Sequence, residues 1–182
     1  KDDSLNGGEG NDKLIGGSGR DTAVFGSANN KINLGKTGRQ STREGRDLLS
    51  SIENVKGGDG NDLIYGDGGN NYLYGEAGKD RLFGRDGDDK LFGEAGNDVL
   101  TGGLGNDQLT GGAGRDKFCI NTGTGKDIIK DYGTGNDRIK LLGGLEENDL
   151  TIRQAGDHVR IKYEGDLIAI LEDTLIADLT FI

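Results

Sequence analysis

Aspartates fall every nine residues along the middle of this chain. Asp62, Asp80, Asp89, Asp98, Asp107 and Asp116 share one phase, and Asn71 stands in that phase where an Asp is missing. Asp12 and Asp21 repeat the spacing nearer the start, with Asp3 one step before them. Each regular member closes a stretch of six residues holding two or three glycines. Glycine reaches backbone angles that other residues adopt only with strain, and it lets the chain approach a ligand closely. A turn bent in this way points its carbonyl oxygens inward. With the carboxylate behind them, those oxygens form a hard environment of the kind calcium takes with about six to eight ligands. One turn offers too few, so the chemistry requires neighbouring turns to meet.

The elements that bring them together are written in the same phrase. From Gly57 to Cys119 the units are GGDGNDLIY, GDGGNNYLY, GEAGKDRLF, GRDGDDKLF, GEAGNDVLT, GGLGNDQLT and GGAGRDKFC, while GGEGNDKLI and GGSGRDTAV fill Gly7 to Val24. The pattern G-G-x-G-x-D-x-U-x, with U apolar, reads as a tight turn feeding a very short strand. The eighth position (Leu14, Ala23, Ile64, Leu73, Leu82, Leu91, Leu100, Leu109, Phe118) gives each strand one side chain to bury. A single unit cannot bury it, but stacked units form a continuous core. If two units make one circuit, one row of turns carries Asp62, Asp80, Asp98 and Asp116, and the other Asn71, Asp89 and Asp107. Carboxylates then stack about 4.8 Å apart. At an effective dielectric near 20 each neighbouring pair costs on the order of 3 kcal/mol, so the coil should not close without a divalent cation between turns. Asn71 offers an amide oxygen without charge and predicts a weaker site.

Composition agrees. With 36 glycines, no proline and a net charge of -10 in 182 residues, the repeat half has the make-up of a disordered segment unless ions fold it. An acidic chain without a basic stripe is a poor nucleic-acid binder, and no apolar run approaches the roughly 20 residues of a membrane span. The single cysteine, Cys119, rules out an internal disulfide framework and reads as a free thiol at a strand edge. Lys1 to Asn6 is the back half of a repeat, so the chain is expected to be a piece of a longer protein.

Four segments follow: a first repeat block at 1–24, an insert at 25–56, the main coil at 57–119, and degenerate repeats with a β cap at 120–182. The insert reads as a strand at Lys31 to Leu34, a polar loop, and a return into register through Asp47 to Val55. Asp47 is either an ion ligand or part of a structural turn, and Glu53 is a lesser candidate. Beyond Cys119 the phrase decays into half-repeats carrying Asp127 and Asp137, with Asp131 between them, as weaker candidate ion ligands. Alternating strands then follow (Leu150 and Ile152; Val159, Ile161 and Tyr163; Leu167 to Leu171; Leu175 to Ile182). The turns Gly156-Asp157 and Glu164-Gly165-Asp166 predict antiparallel hairpins. This part should cover the last coil, whose open edge would otherwise invite aggregation.

Taken together, these residues resemble the RTX, or haemolysin-type calcium-binding, modules of bacterial proteins exported by type I secretion. The resemblance is specific over Gly57 to Cys119 and looser elsewhere. It implies an all-β fold, a right-handed parallel β-roll, with calcium between turns two units apart. The phase-six aspartates would be ligands, together with carbonyls of Gly7, Gly10, Gly57, Gly60, Gly66, Gly69, Gly75, Gly78, Gly84, Gly87, Gly93, Gly96, Gly102, Gly105, Gly111 and Gly114. Roughly eight ions would be held. Asp67, Glu76, Arg85 and Glu94 replace the second glycine, and their side chains are expected to face solvent. The resemblance also implies a secreted, extracellular or cell-surface protein and a type I exporter as partner, and Asp178 to Ile182 is similar to the uncleaved signals of that family. Its function would be folding on calcium outside the cell. The alternative is a calcium-dependent module for an acidic polysaccharide or a cell surface, using Arg153, Arg160 and Lys162, or a cap serving an enzyme upstream.

No catalytic constellation competes with this reading. One histidine, His158, cannot build an H-E-x-x-H zinc site. Leu34-Gly35-Lys36-Thr37 mimics a phosphate loop, but Asn30 stands where its first glycine belongs. The dinucleotide-like glycine patterns lack a strand-helix-strand unit. A glycosidase needs two acids of different roles in a cleft, and here they are periodic and alike. Asp59 to Asp62 and Asp86 to Asp89 begin like EF-hand loops but lack the sixth-position glycine and flanking helices.

Overall fold

A computed structural model describes residues 1–123 and 125–182. Thr124, inside the expected half-repeat, lies outside the described residues. The chain is a parallel β-roll in which successive short strands alternate between two walls. One wall is a ten-stranded sheet, in spatial order Ser4–Asn6, Thr22–Val24, Asn54–Lys56, Tyr72–Gly78, Lys90–Gly96, Gln108–Gly114, Asp127–Ile129, then the cap strands Asp166–Leu171, His158–Tyr163 and Leu150–Ala155. The opposite wall holds a six-stranded sheet from Arg138–Leu141 back through Lys117–Ile120, Val99–Leu104, Arg81–Asp86 and Leu63–Tyr65 to Lys31–Asn33. It also holds a three-stranded sheet of Lys13–Ile15, Arg46–Ser50 and Gln40–Ser41.

Register follows the nonapeptide. Leu73 pairs with Leu91 and Leu91 with Leu109 on one wall, and Ile64 with Leu82, Leu82 with Leu100 and Leu100 with Phe118 on the other. All seven are fully buried. A strand alternates faces with period two, so the seventh and ninth residues point outward on both walls. There Tyr65 stacks on Phe83 at 4.9 Å and Tyr74 on Phe92 at 4.7 Å between ring centroids.

The frame runs further than the glycines suggest. Ile32 pairs with Ile64 and is fully buried, so Phe25 to Asn33 makes one more rung, with Asn30 at phase six. The roll therefore takes in nine residues that the glycine pattern assigns to the insert. The remainder of the insert loops through Gln40–Ser41 and brings Arg46–Ser50 beside Lys13–Ile15, Leu49 against Leu14.

At the other end, the two hairpins form as expected, and Asp166–Leu171 joins the roll in parallel through Ile170 opposite Ile128. The expected strand at Leu175 to Ile182 is corrected. A short 3-10 turn, Ile176–Asp178, is followed by a single bridge between Phe181 and Ile139. Ile139 N–H donates to Thr180 O at 2.8 Å and Ile182 N–H to Ile139 O at 3.0 Å, which is enough to pair the last edge of the six-stranded sheet. The Tyr132 hydroxyl accepts from Thr180 N–H and fixes that segment sideways. No helix among the described residues is long and apolar enough to cross a membrane.

Leu91 lies between two like neighbours with no surface contact. Leu91→Ala should therefore cost about 2–5 kcal/mol, measured by denaturant unfolding at saturating calcium; a loss below about 1 kcal/mol would mean the roll can collapse around the gap.

Candidate metal centre

The turns are held by their own phase-six carboxylates. Asp80 Oδ1 accepts the backbone N–H of Asp62 at 2.7 Å, Asp98 Oδ1 that of Asp80 at 2.8 Å, and Asp116 Oδ1 that of Asp98 at 2.8 Å. Asp62 receives Asn30 N–H at 2.6 Å, and Asp137 receives Asp116 N–H at 2.9 Å. The second row repeats this, with Asp89 taking Asn71 N–H, Asp107 taking Asp89 N–H, and Asp127 taking Asp107 N–H at 3.3 Å. In the first block Asp21 takes Asp3 N–H at 2.7 Å. The two rows are those expected from two units per circuit.

A second ladder runs the other way at phase five. Asn61 Oδ1 accepts from Lys79 N–H, Asn70 from Asp88, Asp88 from Asn106, and Asn97 from Arg115. The recurring Asn before Asp is the sequence signal of this role, which the phase-six pattern does not reveal. Each turn is thus tied forward through phase five and backward through phase six.

The other carboxylate oxygen is left over. Oδ2 of Asp12, Asp21, Asp62, Asp80, Asp89, Asp98, Asp107 and Asp116 is buried without any hydrogen-bond partner. These oxygens crowd the first glycine of their own turn. Asp98 Oδ2 and Gly111 O converge where a Cβ on Gly93 would sit, as do Asp89 Oδ2 and Gly102 O at Gly84, and Asp62 Oδ2 and Gly75 O at Gly57. Second and fourth residues take positive φ in the regular units, for example Gly58 at 91° and Gly60 at 126°, except in the Asn71 unit, where Asp67 and Gly69 do not. Glu76, Arg85 and Glu94 hold that angle without being glycine, at 76°, 84° and 73°. No three acidic, histidine or cysteine side chains among the described residues gather round one point, so one carboxylate with surrounding carbonyls is the available donor set. Such all-oxygen donors fit a hard divalent cation, as calcium requires.

The other candidates are placed differently. Asp47 gives Oδ1 to Asp12 N–H at 2.9 Å and Oδ2 to the Thr42 hydroxyl. Asp131 binds the N–H groups of Gly111 and Gly112, and Asp137 those of Asp116 and Gly133. All three spend both oxygens on the protein. Asp127 and the exposed Asp3 carry no orphaned buried oxygen. Glu53 reaches Asp21 N–H at 2.9 Å and fills a ladder step with a longer arm. Asn30, not foreseen, has a buried Oδ1 without partner in the first row.

Asn71 is satisfied internally. Its Oδ1 accepts Asp67 N–H at 2.9 Å and its Nδ2 donates to Glu53 O at 2.9 Å. Arg85 does not face solvent as expected. Its guanidinium lies 5.1 Å from the Tyr65 ring centroid and donates to Gly66 O at 2.8 Å and Asn33 Oδ1 at 3.1 Å, because the neighbouring turn leaves those acceptors open. A fixed cation therefore sits on a carbonyl of the Asn71 rung, whose phase-six residue is uncharged.

Burial raises the carboxyl pKa of Asp62, Asp89, Asp98 and Asp107 to about 7, with neighbouring carboxylates adding to the rise. Burial likewise lifts Asp116 and Asp127 to about 6, and moves Asp80 and Asp137 upward.

The RTX calcium-binding nonapeptide repeat (4 copies) matches residues 1–32, 50–82 and 83–118, more than half of the chain. The chain belongs to that family. No curated protein sequence matches it. Among solved structures, the AlgE6R3 subunit of the Azotobacter vinelandii mannuronan C5-epimerase is 29% identical, with 63% of this chain and 78% of that one covered and a TM-score of 0.48. The extracellular lipase LipA of Serratia marcescens is 19% identical, with 100% of this chain and 38% of that one covered and a TM-score of 0.35. Neither superposition is close enough to transfer a function.

Two outcomes follow for the RTX turns. Without metal, a carboxyl whose folded pKa exceeds its unfolded value near 3.8 favours the folded state only while protonated. Folding is unpenalised below about pH 4 and loses stability as pH rises from there through about 7. In chelator the β circular dichroism should be stronger at pH 4.5 than at pH 8; the reverse order would contradict the burial of these groups. Gly93→Ala places a Cβ on Asp98 Oδ2 and Gly111 O at an ordinary φ, and should cost about 1–3 kcal/mol with at least one ion lost from the calcium stoichiometry.

Proposed function

We propose that this RTX chain is a folding module whose coil closes when calcium fills its two rows of turns, and that Asp12, Asp21, Asp62, Asp80, Asp89, Asp98, Asp107 and Asp116 are the side-chain ligands. The observation that carries this reading is the set of buried, unpartnered Oδ2 atoms. A buried carboxylate oxygen without a partner is costly, and a divalent cation with turn carbonyls removes that cost at each of these eight turns. Carbonyls of Gly75, Gly102 and Gly111 already converge with an Oδ2. Asp3, Asp47, Asp127, Asp131 and Asp137 act as structural acceptors or end residues.

Binding to the folded state alone stabilises by RT ln(1 + [L]/Kd), about 1.4 kcal/mol per site at tenfold excess. Extracellular modules bind calcium with Kd of about 10⁻⁴ to 10⁻³ M. The module would then stay expanded where free calcium is scarce and fold where it is millimolar, which suits export through a narrow type I channel and folding outside the cell.

The test is a calcium titration of the metal-free chain at pH 7.5, followed by circular dichroism and hydrodynamic radius with magnesium as control. A cooperative, calcium-selective gain of β-structure with contraction is expected, and a compact β-fold unchanged between chelator and calcium would defeat the reading. The Asn71 rung supplies a second test. Asn71→Asp with Arg85→Gly removes the internal cation and restores the carboxylate, and should add one ion by native mass spectrometry. An unchanged stoichiometry would show that Arg85 does not stand in for an ion.

A further inference from the structure

The outer face of the ten-stranded sheet carries cations that have no ion-pair partner among the described residues. Pairing register lays one outward row across roll and cap, from Tyr72 and Lys90 through Gln108, Ile128 and Ile170 to Arg160 and Arg153. At the cap end, Arg153 and Arg160 stand directly opposite each other, an arrangement of like charges that weakens a sheet. With Lys162 they line a concavity of about 460 Å³ that contains no acidic side chain. Among the described residues none of the three has an ion-pair partner.

At the roll end, Arg20 and Lys90 lie 4.8 and 5.1 Å from the Tyr72 ring centroid, and both pull its phenol pKa down. The adjacent outward row is different, because Lys56 pairs with Glu76 at 3.7 Å and Lys130 with Glu172 at 2.9 Å. On this wall the unpaired cations gather along that first line, whereas the six-stranded wall carries an outward row of its own in Lys31, Arg81, Lys117 and Arg138, in a chain whose net charge is -10.

We propose that this line binds an acidic polysaccharide, laid across the strands with carboxylates on the Arg153 and Arg160 pair at one end and on Lys90 and Arg20 at the other. Four strand spacings, about 19 Å, separate Lys90 from Arg160, so the ligand is a chain and not a monosaccharide. Arginine forks match carboxylates two bonds at a time. The two cations occupy the Tyr72 ring, so the row offers no free ring face for the base stacking that single-stranded nucleic acid uses. The net negative charge opposes any polyanion at a distance, and about five divalent ions would cancel it. The calcium dependence of this binding rests on the proposed ion uptake, and its specificity rests on the cation row.

Isothermal titration of the full chain with hyaluronan decasaccharide, in calcium and in chelator, tests it beside a disaccharide, neutral dextran oligomers and single-stranded DNA, with circular dichroism recorded throughout. Binding of the decasaccharide in calcium is expected, at least tenfold tighter than the disaccharide. Arg153→Ser with Arg160→Ser should weaken it at least tenfold while leaving the β-spectrum intact, since the change removes a repulsion. Lys90→Ser, at the far end of the row, should weaken the decasaccharide and leave the disaccharide unchanged, a pattern that loss of folding would not produce. Equal binding of dextran or DNA, or an unaltered affinity in both variants, overturns the proposal. A chain that folds with calcium yet binds no decasaccharide overturns this proposal alone. A chain that takes up no calcium yet binds in chelator overturns the calcium reading and keeps the row.

Discussion

Every coil of this roll buries a carboxylate, and the strand spacing places the next one directly above it. Isolated, such a group would protonate or unfold its surroundings. Half of the difficulty is met by the chain itself, because Oδ1 of the phase-six aspartates from Asp21 onward receives the peptide N–H of the preceding coil. That bond positions the turn, and it leaves Oδ2 aimed at the space beside the first glycine and at the carbonyl of the next coil. The other half, a buried Oδ2 without a hydrogen-bond partner, recurs along two rows.

Much of the phrase can be derived from that single need. The first glycine is small because Oδ2 already occupies the place of its Cβ. The second and fourth positions favour glycine because in the regular units other than that of Asn71 they take positive φ. The eighth residue is apolar because it is the only side chain between two walls. The fifth, so often Asn, ties the turn in the opposite direction and prevents neighbouring loops from tilting apart.

Where the rows stop, side chains take over. Asp131, Asp137 and Asp47 bind peptide N–H groups with both oxygens or through a hydroxyl, so these turns close without a charge deficit. At Asn71 the amide satisfies itself against Asp67 and Glu53, and Arg85 brings a tethered guanidinium to Gly66 O. The same logic explains the ends of the sheets. Hairpins extend the ten-stranded wall, while the backbone of Thr180 to Ile182 pairs the last strand of the other.

The periodicity by itself indicated a stacked coil, its two rows of turns, the buried eighth position and the phase-six aspartates, because each is a local property repeated at constant spacing, while the parallel β-roll followed from the family resemblance those repeats carry. It also located the cap hairpins, whose alternation and turn residues are local. Tertiary structure alone decided the rest. Asp47, Asp131 and Asp137 look like the other aspartates in sequence, and only their partners show that both oxygens are spent. Asn30 and Ile32 sit in frame, yet with Phe25 and Ala28 in place of glycines their rung shows only in the pairing of Ile32 with Ile64. Arg85 looked like a solvated substitution, and its direction depends on Asn33, 52 residues away. The opposition of Arg153 and Arg160 likewise needed the hairpin register. Spacing states which groups a turn contains, whereas the partners of a carboxylate or a cation belong to chain segments that only folding brings near.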